Sequence, residues 1–238
     1  MITTDSKKPW NFWRELEMLV IPLACPGCGL PDVKLCADCG NWLNGPLVRV
    51  ERQIPRLDDL SGTPPMPVWA LGEYSGPARG MVVAWKDRGR EDLTRIYRAA
   101  TLSALRKYPQ FPAVDVVVPM PSSSASIRHR GRDHLEPVCQ GVANELRASS
   151  ARALTKRSNR DQVGLSARAR GQADIRYRKR TKLLPRTRVL LFDDVVTTGA
   201  TLAAASSALT AQGCVIVGAI VLAATPPQAK PEIEVAAK

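Results

Sequence analysis

Three stretches of the chain are apolar without alternation: VDVVVPM (114–120), RVLLF (188–192) and CVIVGAIVLA (214–223). Continuous β-branched runs of this kind are what strands buried on both faces of a parallel sheet require. VWALGEYS (68–75) alternates instead and predicts a further strand. Between these runs lie helical segments. One starts after Pro77 and stops near Gly89, one covers 91–107, one lies around 134–148, and one runs from Gly199 to Gln212. RALT (152–155) predicts a short strand. Strand, helix and strand in succession predict an α/β domain over 68–224. Its parallel sheet would be flanked by helices and joined by right-handed crossovers.

The flanks read differently. In WNFWRELEMLV (10–20), Trp10, Trp13, Leu16, Leu19 and Val20 recur at helical spacing and predict a short amphipathic helix in an N-terminal lead, 1–24. LDDLSGTPPMP (57–67) crowds turn and breaker residues together. It reads as a linker between a cysteine-bearing segment, 25–56, and the main domain. Residues 156–187 are basic, long and without an apolar face, the pattern of a functional or mobile loop. The tail, 225–238, is expected to be disordered. There is no internal repeat.

No apolar run approaches the roughly 20 residues that span a bilayer. MLVIPLA (18–24) follows Glu15 and Glu17 and lacks a basic leader or small-residue cleavage site. No signal peptide or membrane insertion is expected, and the cytoplasm is the expected location. The net charge is +12, and it is concentrated: residues 128–188 hold 17 Lys and Arg against 5 Asp and Glu. Such clustering suits a polyphosphate or a nucleic acid, or simply a solvated basic surface.

VLLFDDVVTTGAT (189–201) carries the most chemistry. An apolar strand runs into Asp193 and Asp194, and adjacent carboxylates at such a place are costly unless something pairs with them. The strand would bring them to its C-terminal edge, where open α/β sheets bind ligands. The turn VTTGAT then opens a helix whose first amides have no internal partner and face an anion favourably. Gly199 would let the backbone approach closely, and the hydroxyls of Thr197, Thr198 and Thr201 add donors. A phosphate at the turn and vicinal sugar hydroxyls on the two acids together describe a phosphorylated sugar.

This stretch resembles the signature of the type I phosphoribosyltransferases: a hydrophobic strand, two acids, two variable residues and Thr-Thr-Gly-x-Thr. The resemblance implies binding of 5-phospho-α-D-ribose 1-diphosphate (PRPP) with Mg²⁺. Asp193 and Asp194 would be the catalytic acids, and Val195, Val196, Thr197, Thr198, Gly199, Ala200 and Thr201 would complete the PRPP loop. Residues 114–138 form a second strand–loop–helix unit with Arg128, Arg130 and Arg132 at its turn, which suits a diphosphate. The unit is similar to the pyrophosphate loop of ComF-like proteins, a branch of the family with Pro-x-Pro followed by Arg-Gly-Phe-Asn-Gln. Pro119, Pro121, Arg130 and Gly131 match, whereas Arg132, Asp133 and His134 stand in place of Phe, Asn and Gln.

The same branch is resembled by Lys156, Arg157, Gln162, Leu165 and Arg170, with Ala173 where an Asn is usual, and by Tyr74, Gly76, Lys86 and Gly89. The first group implies a flexible loop that closes over PRPP and excludes water. Lys86 would contact the pyrophosphate or the acceptor side, with a merely solvated lysine as its rival.

CPGCGLPDVKLCADCG is C-x₂-C-x₇-C-x₂-C: Cys25, Cys28, Cys36 and Cys39. Two CxxC knuckles, each followed by glycine, suit a structural Zn²⁺ site with no open position for catalysis, and predict a small zinc ribbon. Disulfides and an iron–sulfur site are the rivals. ComF-like proteins often begin with such a ribbon, and the resemblance extends over about residues 16–224. Cys139 and Cys214 read as apolar filler, and a metal role is not expected for His129 or His134. The leading expectation is a Mg²⁺-dependent phosphoribosyltransferase whose acceptor is unknown. Two rivals are a non-catalytic PRPP or nucleotide sensor associated with single-stranded DNA in competence, and a zinc-ribbon adaptor that docks a partner such as a helicase.

Overall fold

A computed structural model describes residues 23–55, 57, 66–122, 124–156 and 175–226. The helix expected over 10–20, most of the 57–67 linker, the loop residues Arg157, Gln162 and Arg170, and the tail beyond 226 lie outside the described residues.

The elements, in chain order, are α1 (Ala37–Asn41), β1 (Val48–Arg49), β2 (Val68–Glu73), α2 (Gly76–Asp87) and α3 (Asp92–Arg106). Next come β3 (Val116–Pro119), α4 (Ser124–Arg130), α5 (Glu136–Glu145), β4 (Ser149–Ser150) and β5 (Leu154–Lys156). The chain closes with β6 (Ile175–Tyr177), β7 (Arg188–Val196), α6 (Ala200–Thr210) and β8 (Val215–Ala224). Six strands form one sheet in the order β1-β2-β8-β7-β3-β4. Only β1, which pairs with β2, is antiparallel. β5 and β6 form a separate antiparallel pair. The fold is thus α/β, a mainly parallel sheet flanked by helices. No helix among the described residues is long and apolar enough to cross a membrane.

The apolar runs sit where their composition places them. Val189, Leu190, Leu191 and Phe192 of β7 and Ala219 to Ala223 of β8 are fully buried, covered by helices on both faces. β7 continues past the expected end at 192, because β8 keeps pairing with it: Asp193 opposes Val221 and Val196 opposes Ala224. Both acids therefore belong to the strand. α5 is shorter than the expected 134–148. Arg147 turns left-handed (φ 54°) and Ala148 N–H donates to Ala143 O at 2.8 Å, which closes the helix. α4 and β6 occupy segments expected to be loop.

The cysteine-bearing segment packs on the same core. Cys25, Cys39, Leu43, Leu47, Ile54 and Leu57 are buried in the cluster that includes Trp85 and Val68. Arg90 donates from Nη1 to Ala24 O (3.0 Å) and from Nη2 to Lys34 O (2.7 Å). Gly80 of α2 leaves room for the Pro26 carbonyl, which a Cβ there would meet at 2.5 Å.

Candidate functional site

The strand order reverses between β3 and β7. From β3 the chain passes through α4 and α5 to β4 on one side; from β7 it passes through α6 to β8 on the other. Such a switch point leaves a crevice at the C-terminal ends of the strands. β3 stops at Pro119, opposite Phe192, so the following residues of β7 face open space. A cleft of about 230 Å³ lies there. Its lining includes Lys86 from α2, Arg130 from α4, Lys156 from β5, and Asp193, Asp194, Val195 and Thr201. These candidate residues, far apart in sequence, are brought together. His134 completes the wall.

The two acids differ. Strand alternation sends them to opposite faces, and burial alternates accordingly: Phe192, Asp194 and Val196 are buried, Asp193 and Val195 half-buried. Asp194 Oδ2 lies 2.6 Å from Lys86 Nζ and 3.0 Å from His134 Nε2. Its Oδ1 accepts from Val195 N–H at 2.8 Å. Burial alone would raise its pKa. The His134 hydrogen bond and the Lys86 ammonium outweigh burial and hold the carboxyl below its ordinary range. Asp193 Oδ1 accepts from Asp194 N–H at 2.9 Å. Burial, then the charge of Asp194, push its pKa well up. Burial would lower the pKa of Lys86, but Asp194 turns the balance and raises it.

At the α6 end, Gly199 is left-handed (φ 78°) and immediately precedes the helix. Thr197 and Thr198 are exposed, and Thr198 Oγ1 accepts from Ala200 N–H at 3.4 Å. What comes close to Gly199 is protein: a Cβ there would meet Ile54 Cγ2 at 2.5 Å and Leu57 Cγ at 2.9 Å. The glycine therefore serves a left-handed turn and leaves room for Ile54 and Leu57 to pack against it.

The arginines divide as well. Arg130, whose side chain is 9% exposed, lines the cleft, and its Nη1 donates to Lys86 O at 3.5 Å. Arg132 does not line the cleft. It donates to Trp85 O (3.2 Å) and Thr94 Oγ1 (3.4 Å), and pairs with Glu91 at 3.0 Å. Carbonyls in the last turn of a helix lack internal partners, and cations near them are favoured by the helix dipole. Arg132 thus ties down the end of α2, the helix that presents Lys86. Arg128 is exposed on α4, outside the cleft wall, and Gly131 (φ 71°) turns the chain after α4.

The cysteine sulfurs of Cys25, Cys28, Cys36 and Cys39 all lie within 4.8 Å of one another, and Sγ of Cys36 is 3.6 Å from those of Cys25 and Cys28. Tetrahedral zinc with Zn–S bonds of about 2.3 Å sets sulfurs about 3.8 Å apart, so the cluster fits the ion. The first knuckle is a tight turn in which Gly29 (φ 81°) donates to Cys25 O. The second opens the short helix α1, with Gly40 inside it, in place of a second turn.

Sequence reasoning missed His134. It is 1% exposed, packs edge-on against Trp85 at 4.7 Å, and reaches Asp194 across 60 positions. The available signal was its departure from the ComF-like wording. A histidine stands where a glutamine is usual, and both side chains carry an N–H at similar reach.

No curated protein matches the chain in sequence. Similar solved structures include the adenine phosphoribosyltransferase of Leishmania donovani, at 14% identity over 78% of this chain and 79% of that one, TM-score 0.39. The Trypanosoma brucei enzyme, in complex with AMP, pyrophosphate and ribose-5-phosphate, is 14% identical over 75% and 87%, TM-score 0.40. The Rhodothermus marinus enzyme is 18% identical over 79% and 88%, TM-score 0.37. A family model described as the phosphoribosyl transferase domain matches residues 136–237, the part of the chain that carries α5, the acid pair on β7, α6 and β8.

Proposed function

We propose that the chain binds PRPP in the cleft between β3 and β7 and transfers its phosphoribosyl group, as a ComF-like type I phosphoribosyltransferase. One observation carries the reading: the switch-point cleft joins an acid pair, the approach to a helix N-terminus, and the cations Lys86, Arg130 and Lys156. The start of α6, with Thr197, Thr198, Gly199, Ala200 and Thr201, takes the 5′-phosphate, and Val195 and Val196 lead into it. The acid pair serves the ribose. Arg130, Gly131 and Lys86 face the diphosphate, with Arg128 and Arg132 at its margin. Lys156 stands where the chain enters the segment of Arg157, Gln162 and Arg170, which closes over the ligand.

In the reaction, the bond from the anomeric carbon to the diphosphate oxygen breaks and a bond to the acceptor forms. The leaving pyrophosphate is stabilised by the cleft's cations. Mg²⁺ binds through carboxylates together with substrate phosphates, a donor set that the cleft and PRPP would supply jointly. When bound, it would neutralise charge on the diphosphate. The cysteines hold zinc in a structural role.

The test is PRPP binding by calorimetry with Mg²⁺, followed by a screen of pyrophosphate release across bases, amines and amides. Binding with acceptor-dependent release is expected. Binding without release would make the chain a sensor, and failure to bind would sink both readings. Roles in single-stranded DNA binding or helicase docking find less support. The exposed large hydrophobics among the described residues are Leu and Val, which cannot stack on bases.

A further inference from the structure

Both oxygens of Asp194 have partners inside the protein: Lys86 and His134 on Oδ2, and the amide of Val195 on Oδ1. The carboxylate is 4% exposed. His134 is held equally firmly. Its ring rests edge-on against Trp85, and its Nδ1 is buried with no hydrogen-bond partner among the described residues. Trp85 is fixed in turn by a 2.8 Å bond from Nε1 to Thr94 Oγ1. Lys86 is the exception in this unit. Its side chain is 39% exposed, and it lines the cleft. The charged groups facing it are Asp193 and Asp194 on β7 and Asp87 on its own helix, and Arg130 and Lys156 share the cleft and its rim.

We propose that Asp194 and His134 are positioning residues for Lys86, and that Asp193 is the ligand-facing carboxylate of the pair. Lys86, anchored on Asp194 Oδ2, is then the cation that meets the diphosphate. This rests on the PRPP reading given above, and it divides between the two acids a task that their adjacency in sequence suggests they share. A free lysine on its flexible stem loses rotamer freedom when it grips an anion. One already held against a carboxylate has lost that freedom in advance. His134 contributes an N–H aimed at Asp194, so an amide of equal reach should replace it.

The experiment is calorimetric titration of inorganic pyrophosphate with MgCl₂ into the full chain, with ribose 5-phosphate in parallel. The variants are His134→Leu, His134→Gln, Lys86→Met and the double His134→Leu/Lys86→Met. Loss of a charge-assisted hydrogen bond predicts roughly tenfold weaker pyrophosphate binding for His134→Leu. His134→Gln should restore most of it. In the Lys86→Met background the histidine substitution should cost nothing further, because its effect passes through Lys86. Ribose 5-phosphate should respond much less. Unchanged pyrophosphate affinity in His134→Leu, failure of the glutamine to rescue, or additive losses in the double variant would each overturn the proposal. Should His134→Leu fail to fold, His134→Asn, whose amide stops a bond short of Asp194, takes its place in the same cycle. A wild-type chain that binds neither PRPP, pyrophosphate nor ribose 5-phosphate would instead remove the underlying PRPP reading.

Discussion

The cysteine cluster and the cleft are assembled in opposite ways. The four cysteines fall between residues 25 and 39, and local backbone alone, a turn at Gly29 and the start of α1, brings their sulfurs together. The cleft draws on residues from Lys86 to Thr201, and only the strand order makes them neighbours. A site of the first kind is written in spacing. A site of the second kind is written in topology, and side chains that support it leave no local pattern. The two are also physically joined. Pro26 and Gly27 pack on Gly80 of α2, the helix whose last turn carries Lys86, and Ile54 and Leu57 pack on Gly199 at the entry to α6.

Removing the metal should have the largest effect. Structural zinc in small modules carries an apparent folding energy of about 10–16 kcal/mol, because the site does not exist in the unfolded chain. Here Cys25 and Cys39 are part of the main core, so chelation or Cys36→Ser should lower the melting temperature of the whole chain and also weaken PRPP binding through α2. Metal analysis should find one zinc per chain in reductively purified protein. A melt unaltered by chelator would show that the cysteine site and the cleft are independent.

Next in size is a contrast within the cleft. From sequence, the two acids read as one pair of adjacent carboxylates, costly unless something pairs with them. The structure separates them. Asp194→Asn leaves the Lys86 ammonium without its buried counter-charge and takes the carboxylate away from His134 Nε2; it should cost about 3 kcal/mol, the lower end for breaking a buried pair because Lys86 is partly exposed. Asp193→Asn should stabilise. The signs in pH follow. Asp194 has a lowered pKa in the fold, so its contribution is present above the ordinary carboxylate pKa of about 3.9 and lost as pH falls below it. Asp193 has a raised pKa, so its penalty is absent below about 3.9 and grows as pH rises toward its folded value. Thermal melts from pH 3 to pH 8 should show the two variants diverging from wild type in opposite directions as pH rises. Parallel shifts would erase the distinction.

The sheet was legible because buried parallel strands must be continuous apolar runs, and the β3, β7 and β8 runs have few other uses. The acid pair, the threonine turn and the cysteines were legible because their geometry is local. The extent of β7 was not, since Asp193 and Asp194 are poor strand residues that stay in the ladder only because β8 pairs alongside. Nor were the protein partners of Arg132: nothing local in the sequence shows that its guanidinium reaches Trp85 O and Thr94 Oγ1. α4, with Ser at its start and Arg through it, has too little apolar periodicity to stand out from a loop.

The smallest effect tests the join between the two sites. Gly199→Ala places a Cβ 2.5 Å from Ile54 Cγ2, at a φ of 78° that a side chain tolerates poorly. The left-handed backbone alone should cost about 1 kcal/mol, and the steric overlap adds to it. Two sources of strain can be told apart by a double-mutant cycle, because only the overlap depends on the neighbour. Ile54→Ala removes the methyl that the new Cβ would strike, so in that background Gly199→Ala should cost less, with a coupling of about 0.5–1 kcal/mol. Ile54→Ala by itself destabilises by opening a cavity, and the cycle subtracts that cost. Ribose 5-phosphate affinity, read on the same four proteins, adds the functional half. If the 54–57 segment holds the turn that receives the 5′-phosphate, Gly199→Ala should weaken binding in the wild-type background and recover part of it when Ile54 is truncated. Strict additivity in both stability and affinity would mean that the segment following the cysteines merely lies against the turn, and the coupling between the two sites would then run through α2 alone.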